Sequence, residues 1–262
     1  IAQAPGGVAR LRELILTLAV QGKLLPQDAS DEPASELLKK IAFEKDRLIA
    51  EKKIRKGKSL PDIGDDEKFF ELPRTWAWVR LHSIGDWGAG ATPSRTNSNY
   101  YGGKIPWFKS GELTSDHIVE SEETVTDAAL RECSLRLNQP GDVLIAMYGA
   151  TIGKTSILDV VGTTNQAVCA CTPFSGMSNT YLLLLMKALK PYFISQGAGG
   201  AQPNISREKV INTVIGLPPL VEQSRIVTRV EELMQLCDAL EAQGQLEAEQ
   251  HARLVSTLFG SL

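Results

Sequence analysis

The chain has 262 residues, with 28 Lys and Arg against 31 Asp and Glu, a net charge of −3 and 43% hydrophobic content. That is too long for a disulfide-stapled miniprotein and too apolar for a disordered tail, and it allows one large or two modest domains. No apolar run approaches the roughly 20 residues of a membrane helix, no signal-peptide pattern opens the chain, and four irregularly spaced cysteines suit reduced thiols in a cytoplasmic protein.

Taken in chain order, the first segment, 8–22, repeats apolar residues at helical spacing (Val8, Leu11, Leu14, Ile15, Leu18, Ala19), and Gly22 is placed to stop it. A second helix is expected over 34–56, with Leu37, Leu38, Ile41, Leu48 and Ile49 on one side and a series of Lys and Arg on the others; about 23 residues would reach roughly 35 Å. Residues 1–61 carry 12 basic and 8 acidic groups, whereas 62–73 carry 1 and 5. The acidic, glycine-bearing stretch 62–71, between Pro61 and Pro73, therefore reads as a linker. From 72 to 217 the texture changes to short apolar runs, glycine clusters and aromatics. Strands are expected at 76–81, 142–147, 154–158 and 168–171, and one helix at 180–195. After Pro218 and Pro219 a heptad track (Ile226, Val230, Leu233, Cys237, Leu240, Leu254, Leu258) predicts a long helix over 218–262 with a weak point at Gly244. Neither flanking helical region can leave its apolar stripe in water. The fold class expected is thus α+β, a globular α/β-containing domain at 72–217 flanked by long helices that form an antiparallel coiled-coil stalk. Leu11, Ile15 and Leu18 are expected to remain as an apolar edge for a second copy. A short echo, Ala252, Arg253, Leu254 and Leu258 against Ala9, Arg10, Leu11 and Ile15, hints at a repeating or cyclic arrangement.

The search for a catalytic centre finds none. The stretch GATIGKT at 149–155 has three residues between its first Gly and Gly-Lys where a phosphate-cradling loop needs four, and a strand and turn follow instead of a helix. A turn between two strands that projects Lys154 fits better. Cys169 and Cys171 alternate on a strand but lack the second pair of a tetrahedral metal set. His82, His117 and His251 are isolated, and Asp116, Glu120, Glu122 and Glu123 read as a solvated acidic loop. No metal, cofactor or membrane contact is expected.

What remains is the chemistry that holds nucleic acid. Thr92, Pro93, Ser94, Arg95, Thr96 and Asn97 form a polar loop; Lys104 and Lys109 bracket Trp107 and Phe108; Gln202, Asn204, Ser206, Arg207 and Lys209 follow a glycine cluster. Such side chains on glycine-loosened loops can meet phosphates and read base edges.

A set of phrases in order then resembles one family: LILTLAVQGKLL at 14–25, DEPASELLKKI at 31–41, ELPRTWAWVRL at 71–81, YGGKIPWFKSGEL at 101–113, VLIAMYGATIGK at 143–154, TNQAV at 164–168, QPNISREK at 202–209 and LPPLVEQSRI at 217–226. Together they are similar to the specificity subunits of type I restriction-modification systems. The resemblance implies a target recognition domain at about 72–217 between helical spacer regions. Full-length members carry two such domains and read a split double-stranded DNA target. One domain here looks like half of that reader, completed by a homodimer. The expected partners are methyltransferase (M) subunits and, through them, restriction (R) subunits, with no catalysis in the chain itself. The stalk would act as a ruler for half-site spacing. DNA contacts are expected from Arg95, Lys104, Lys109, Lys154 and Arg207 toward phosphate or guanine, and from Ser94, Gln202 and Asn204 as polar readers. The competing expectation is a coiled-coil scaffold without direct DNA readout.

Overall fold

The computed structural model describes residues 6–57, 60–197 and 203–259. Helix α1 (Gly7–Val20) buries Val8, Ile15 and Ala19 and stops where Gly22 turns into the left-handed region at φ +69°. Helix α2 (Ala34–Ala50) buries Ala34, Leu37 and Ile41. It ends six residues short of expectation. Lys52 takes φ +58°, its N–H donating to the Ile49 carbonyl at 3.0 Å while the Lys53 N–H donates to the Leu48 carbonyl at 2.9 Å. This pair of bonds closes the last turn as a Schellman motif, and it does so where Lys52, Lys53, Arg55 and Lys56 would otherwise stack like charges along the helix.

The strands sort into three sheets. β1 (Ala77–Arg80) pairs antiparallel with β10 (Val214–Leu217) just before the C-terminal helix. Five strands, β2 (Gly85–Ala89), β9 (Val168–Pro173), β6 (Val143–Ala146), β7 (Thr155–Leu158) and β4 (His117–Ile118), lie in that spatial order, antiparallel except for β4 with β7. The third sheet joins β5 (Glu123–Val125), β3 (Tyr101–Phe108) and β8 (Thr163–Thr164). Two six-residue helices, α3 (Asp127–Glu132) beside β3 and α6 (Arg207–Asn212) beside β2, are capped by Thr126 and Ser206, whose hydroxyls accept from the Ala129 and Lys209 N–H groups.

The helix expected over 180–195 is two helices, α4 (Asn179–Ala188) and α5 (Lys190–Gly197), because Pro191 has no N–H for the ladder. All residues from Tyr181 to Met186 are buried, since α4 lies between the β6–β7 face and the N- and C-terminal helices.

Helix α7 (Leu220–Phe259) has 40 residues, about 60 Å at 1.5 Å per residue, and runs unbroken through Gly244. α1 lies antiparallel against its first half: Arg12 reaches Asp238 at 2.6 Å and Glu241 at 2.8 Å, while the chain beyond α1 reaches its start, with Gln27 donating to Glu222 at 2.7 Å. One apolar cluster joins Ile15, Ile41, Val79, Ile145, Leu185, Ile226, Val230 and Cys237, so helices and sheets share a core that crosses the boundaries read from sequence. The free edge expected at Leu11, Ile15 and Leu18 is therefore corrected. Ile15 is buried, Leu11 packs on the same cluster and Leu18 is half-buried, because α1 is covered by α7 and α4. The outward leucine of α1 is Leu14, and on α7 Leu236, Leu240, Leu246 and Leu254 face outward while Leu233 is half-buried; the side chain of Leu258 is outside the described residues. α2 does not join this stalk either, but abuts the sheet module, with Ser175 donating to Glu44 at 2.6 Å through its N–H.

A buried polar joint fixes α7 to the rest. Glu222 accepts from the Trp76 indole N–H at 2.9 Å and from Gln27 at 2.7 Å, and burial pushes its carboxyl above the usual range. Gln223, also buried, accepts from the Ser178 N–H at 2.9 Å. Among the described residues no helix is long and apolar enough to cross a membrane.

Candidate nucleic-acid interface

The antiparallel order of the five-stranded sheet sends the end of β2, the start of β9, the end of β6 and the start of β7 to one side. The segments 174–178, which meet α2 and α7, leave from the opposite side. A loop rim thus stands away from the helical base, built by backbone bonds between loops distant in sequence. Gly90 donates to the Val168 carbonyl at 3.0 Å and Ala91 to Thr164 at 3.1 Å; Met147 donates to Ala167 at 2.8 Å, Ile205 to Met147 at 2.9 Å and Gly149 to Pro203 at 2.7 Å. Gly90 is required where this segment passes Thr164, since a methyl group there would drive into the Thr164 carbonyl and hydroxyl oxygens. The 149–155 stretch is the connection between β6 and β7, as its sequence suggests, with Gly153 at φ +76° and packed on Lys190.

Several expected residues meet on this rim. Lys154 ends the β6–β7 loop half-exposed; Asn204 is exposed and pairs through its backbone with Tyr148; Arg207 opens α6 and donates to the Trp87 carbonyl at 3.0 Å. Ser94 exchanges a 2.8 Å hydrogen bond with Thr96. Lys104 stands apart on the bulged part of β3, exposed. Gln202 lies outside the described residues. Sequence reasoning missed two rim groups: Tyr148, 39% exposed, and Gln166, which accepts from the Thr92 hydroxyl. Both sit inside the phrases VLIAMYGATIGK and TNQAV, which was the available signal.

Arg95 and Lys109 occupy a different environment. The Arg95 guanidinium lies 4.5 Å above the Tyr101 ring and 5.1 Å from that of Trp107, and it forks onto Glu123 at 2.5 and 3.1 Å. Lys109 meets the same Glu123 at 3.1 Å and Glu122 at 2.6 Å. The Arg95 and Lys109 hydrogen bonds hold the Glu123 carboxyl down at about 2, and both cations are raised by the same contacts. The acidic stretch expected to be only solvated is therefore corrected: Glu122 and Glu123 bind two of the predicted DNA contacts, while Asp116 pairs with Lys187 at 2.5 Å. Cys169 and Cys171 are fully buried, which drives the Cys169 thiol up to about 12, and no cluster of three or more potential metal ligands occurs among the described residues.

Residues 73–250 match the family described as type I restriction modification DNA specificity domain. The type I restriction enzyme EcoAI specificity subunit of Escherichia coli is 38% identical over 270 residues, covering 98% of this chain and 44% of its own length. The EcoEI specificity subunit, also of Escherichia coli, is 36% identical over 275 residues with the same coverage of 98% and 44%. The chain spans less than half the length of these relatives. Among solved structures, the HsdS subunit from Thermoanaerobacter tengcongensis has a TM-score of 0.56 at 23% identity, over 97% of this chain and 56% of that one. A chain from a structure of a type I R-M system, described for its complex assembly and conformational transition, gives 0.57 at 23% identity, over 94% and 53%. These likenesses bear on fold, a mixed helix and sheet architecture with a long C-terminal helix. With its match running from the first strand far into α7, the chain belongs to the type I restriction modification DNA specificity domain family.

Proposed function

We propose that this chain reads one half of a bipartite double-stranded DNA target, with residues 72–217 as the reading domain, and that it performs no chemistry of its own. The observation that carries this reading is the loop rim opposite the helical base. There Lys154 and Arg207 have no carboxylate partner among the described residues, and Asn204, Gln166 and Ser94 offer the donors and acceptors that read base edges. In this reading the helical base docks methyltransferase subunits and, through them, restriction subunits. The exposed leucines of α7 support a homodimer in which the two helices set the half-site separation.

The test is the modification pattern of DNA exposed to the chain with its methyltransferase, which reports half-site sequence, symmetry and spacing together. A complex that marks or protects no particular sequence refutes the reading. Lys154→Ala and Arg207→Ala are each expected to weaken binding and to flatten the dependence of log K on log salt by about 0.9 per lost phosphate contact. Unchanged affinity and slope in both would move the interface elsewhere and favour the scaffold.

A further inference from the structure

Three carboxylates surround two cations on the β3–β5 face. Lys109 lies 2.6 Å from Glu122, 3.1 Å from Glu123 and 3.9 Å from Glu112, and Arg95 spends its fork on Glu123. By contrast Lys104, Lys154 and Arg207 make no ion pair among the described residues. Resting on the DNA-reading function above, we propose that Glu123, with Glu122, is an internal stand-in for phosphate: it occupies Arg95 and Lys109 until a target duplex displaces it, and so holds down binding to non-target DNA.

The geometry fits an exchangeable plug. A planar carboxylate taken bidentately by guanidinium presents two oxygens much as a phosphodiester does. Stacking on Tyr101 and Trp107 fixes the plane of Arg95, so its fork keeps its aim when the partner changes. The Arg95 side chain is 54% exposed and that of Lys109 29%, with Glu122 over it 72% exposed, so a backbone phosphate reaches Arg95 directly and Lys109 where Glu122 swings away. Exposed pairs of this kind are weak and screened. Exchanging one monoanion for another is then nearly balanced, and contacts made only with the right sequence tip it. In the plugged state the five groups carry a net −1 and repel any duplex, which is selectivity by opposition to the wrong partner.

The experiment measures binding of the full chain, assembled with its methyltransferase, to a target-bearing duplex and to a random-sequence duplex over a salt series. Glu123→Gln is expected to bind the random duplex roughly three- to tenfold tighter, with a log–log salt slope steeper by about 1 to 2. Target binding should change less, so discrimination falls. Glu122→Gln should move in the same direction by a smaller amount, and it serves if Glu123→Gln unfolds at lower temperature. Weaker target binding in Glu123→Gln with the random duplex unchanged would make Glu123 a buttress for Arg95 and overturn the proposal. If Arg95→Ala and Lys109→Ala lose affinity while neither Gln variant gains any, the plug alone is overturned and the DNA-reading function stands. If Arg95→Ala and Lys109→Ala bind both duplexes as the unaltered chain does, the placement of DNA on this face falls with it.

Discussion

Trp76→Phe tests the joint that holds α7 to the sheet module. Trp76 is 6% exposed and Glu222 1%, and the indole N–H is one of two donors to that carboxylate. Phenylalanine keeps an aromatic ring but removes a hydrogen bond to a charged group, which costs about 1.5–3 kcal/mol. The volume lost in a filled site adds about 1 kcal/mol. A loss of about 3 kcal/mol should lower the unfolding temperature by roughly 6–12 °C for a chain of this size. The pH dependence gives a sharper check. Burial, the largest influence, already raises the Glu222 carboxyl, with nearby Asp31 acting the same way and the Gln27 and Trp76 bonds and Arg225 opposing. A carboxyl whose folded pKa lies above its unfolded value favours folding at low pH, and that contribution is lost as pH rises through the folded pKa. Removing the indole donor raises the folded value further. The deficit of Trp76→Phe should therefore be largest at mildly alkaline pH and shrink as Glu222 becomes protonated. Denaturant midpoints at both ends of that range decide it: a deficit under about 0.5 kcal/mol, or one that grows toward acid, would refute the role given to Glu222.

Other outcomes follow from the same contacts. Gly90→Ala should displace the rim, lowering stability by about 2 kcal/mol or more and weakening DNA binding, read by thermal unfolding and by titration with duplex. Arg225→Ala removes a guanidinium that bonds Asp31 at 3.2 Å through Nη1 and leaves that buried carboxylate without its cation; because the Arg225 side chain is 37% exposed, about 2 kcal/mol is expected from urea unfolding rather than the full cost of a buried pair. Leu240→Lys with Leu254→Lys should abolish self-association in sedimentation without lowering the unfolding temperature of the monomer, since both side chains are exposed within the chain.

Much of the helical frame was legible because its signals are local. The three-and-four spacing of α1, Gly22, and the Pro218–Pro219 pair before α7 needed no tertiary information. The strands recovered, β1, β6, β7 and β9, each carry a short apolar run, at 77–79, 143–146, 157–158 and 168–171. β3 was missed because Gly102, Gly103 and Pro106 dilute its pattern, and its stability comes from β5 and β8 on either side. α3 and α6 are too short for periodicity to register, although Thr126 and Ser206 at their N-termini were readable caps. In the candidate site the cations were visible as residue types, but not their partners. Arg95 and Glu123 are 28 positions apart and meet only because β3 and β5 pair. The acidic stretch looked solvated for the same reason: sequence shows how many charges a segment carries, not which strand will be folded beside it.

The outer part of α7 has a thermodynamic consequence. Beyond Glu241 every residue whose burial is described is exposed except the half-buried Gly244. A helix of that length without tertiary support is marginal in water. Its backbone amides should exchange with solvent far faster than those of 222–237, where α1, α4 and the buried joint supply protection. Whatever covers the exposed leucines then binds and folds this segment in one step. Part of the contact energy is consumed in ordering the helix, and its melting becomes dependent on concentration while that of the sheet module does not.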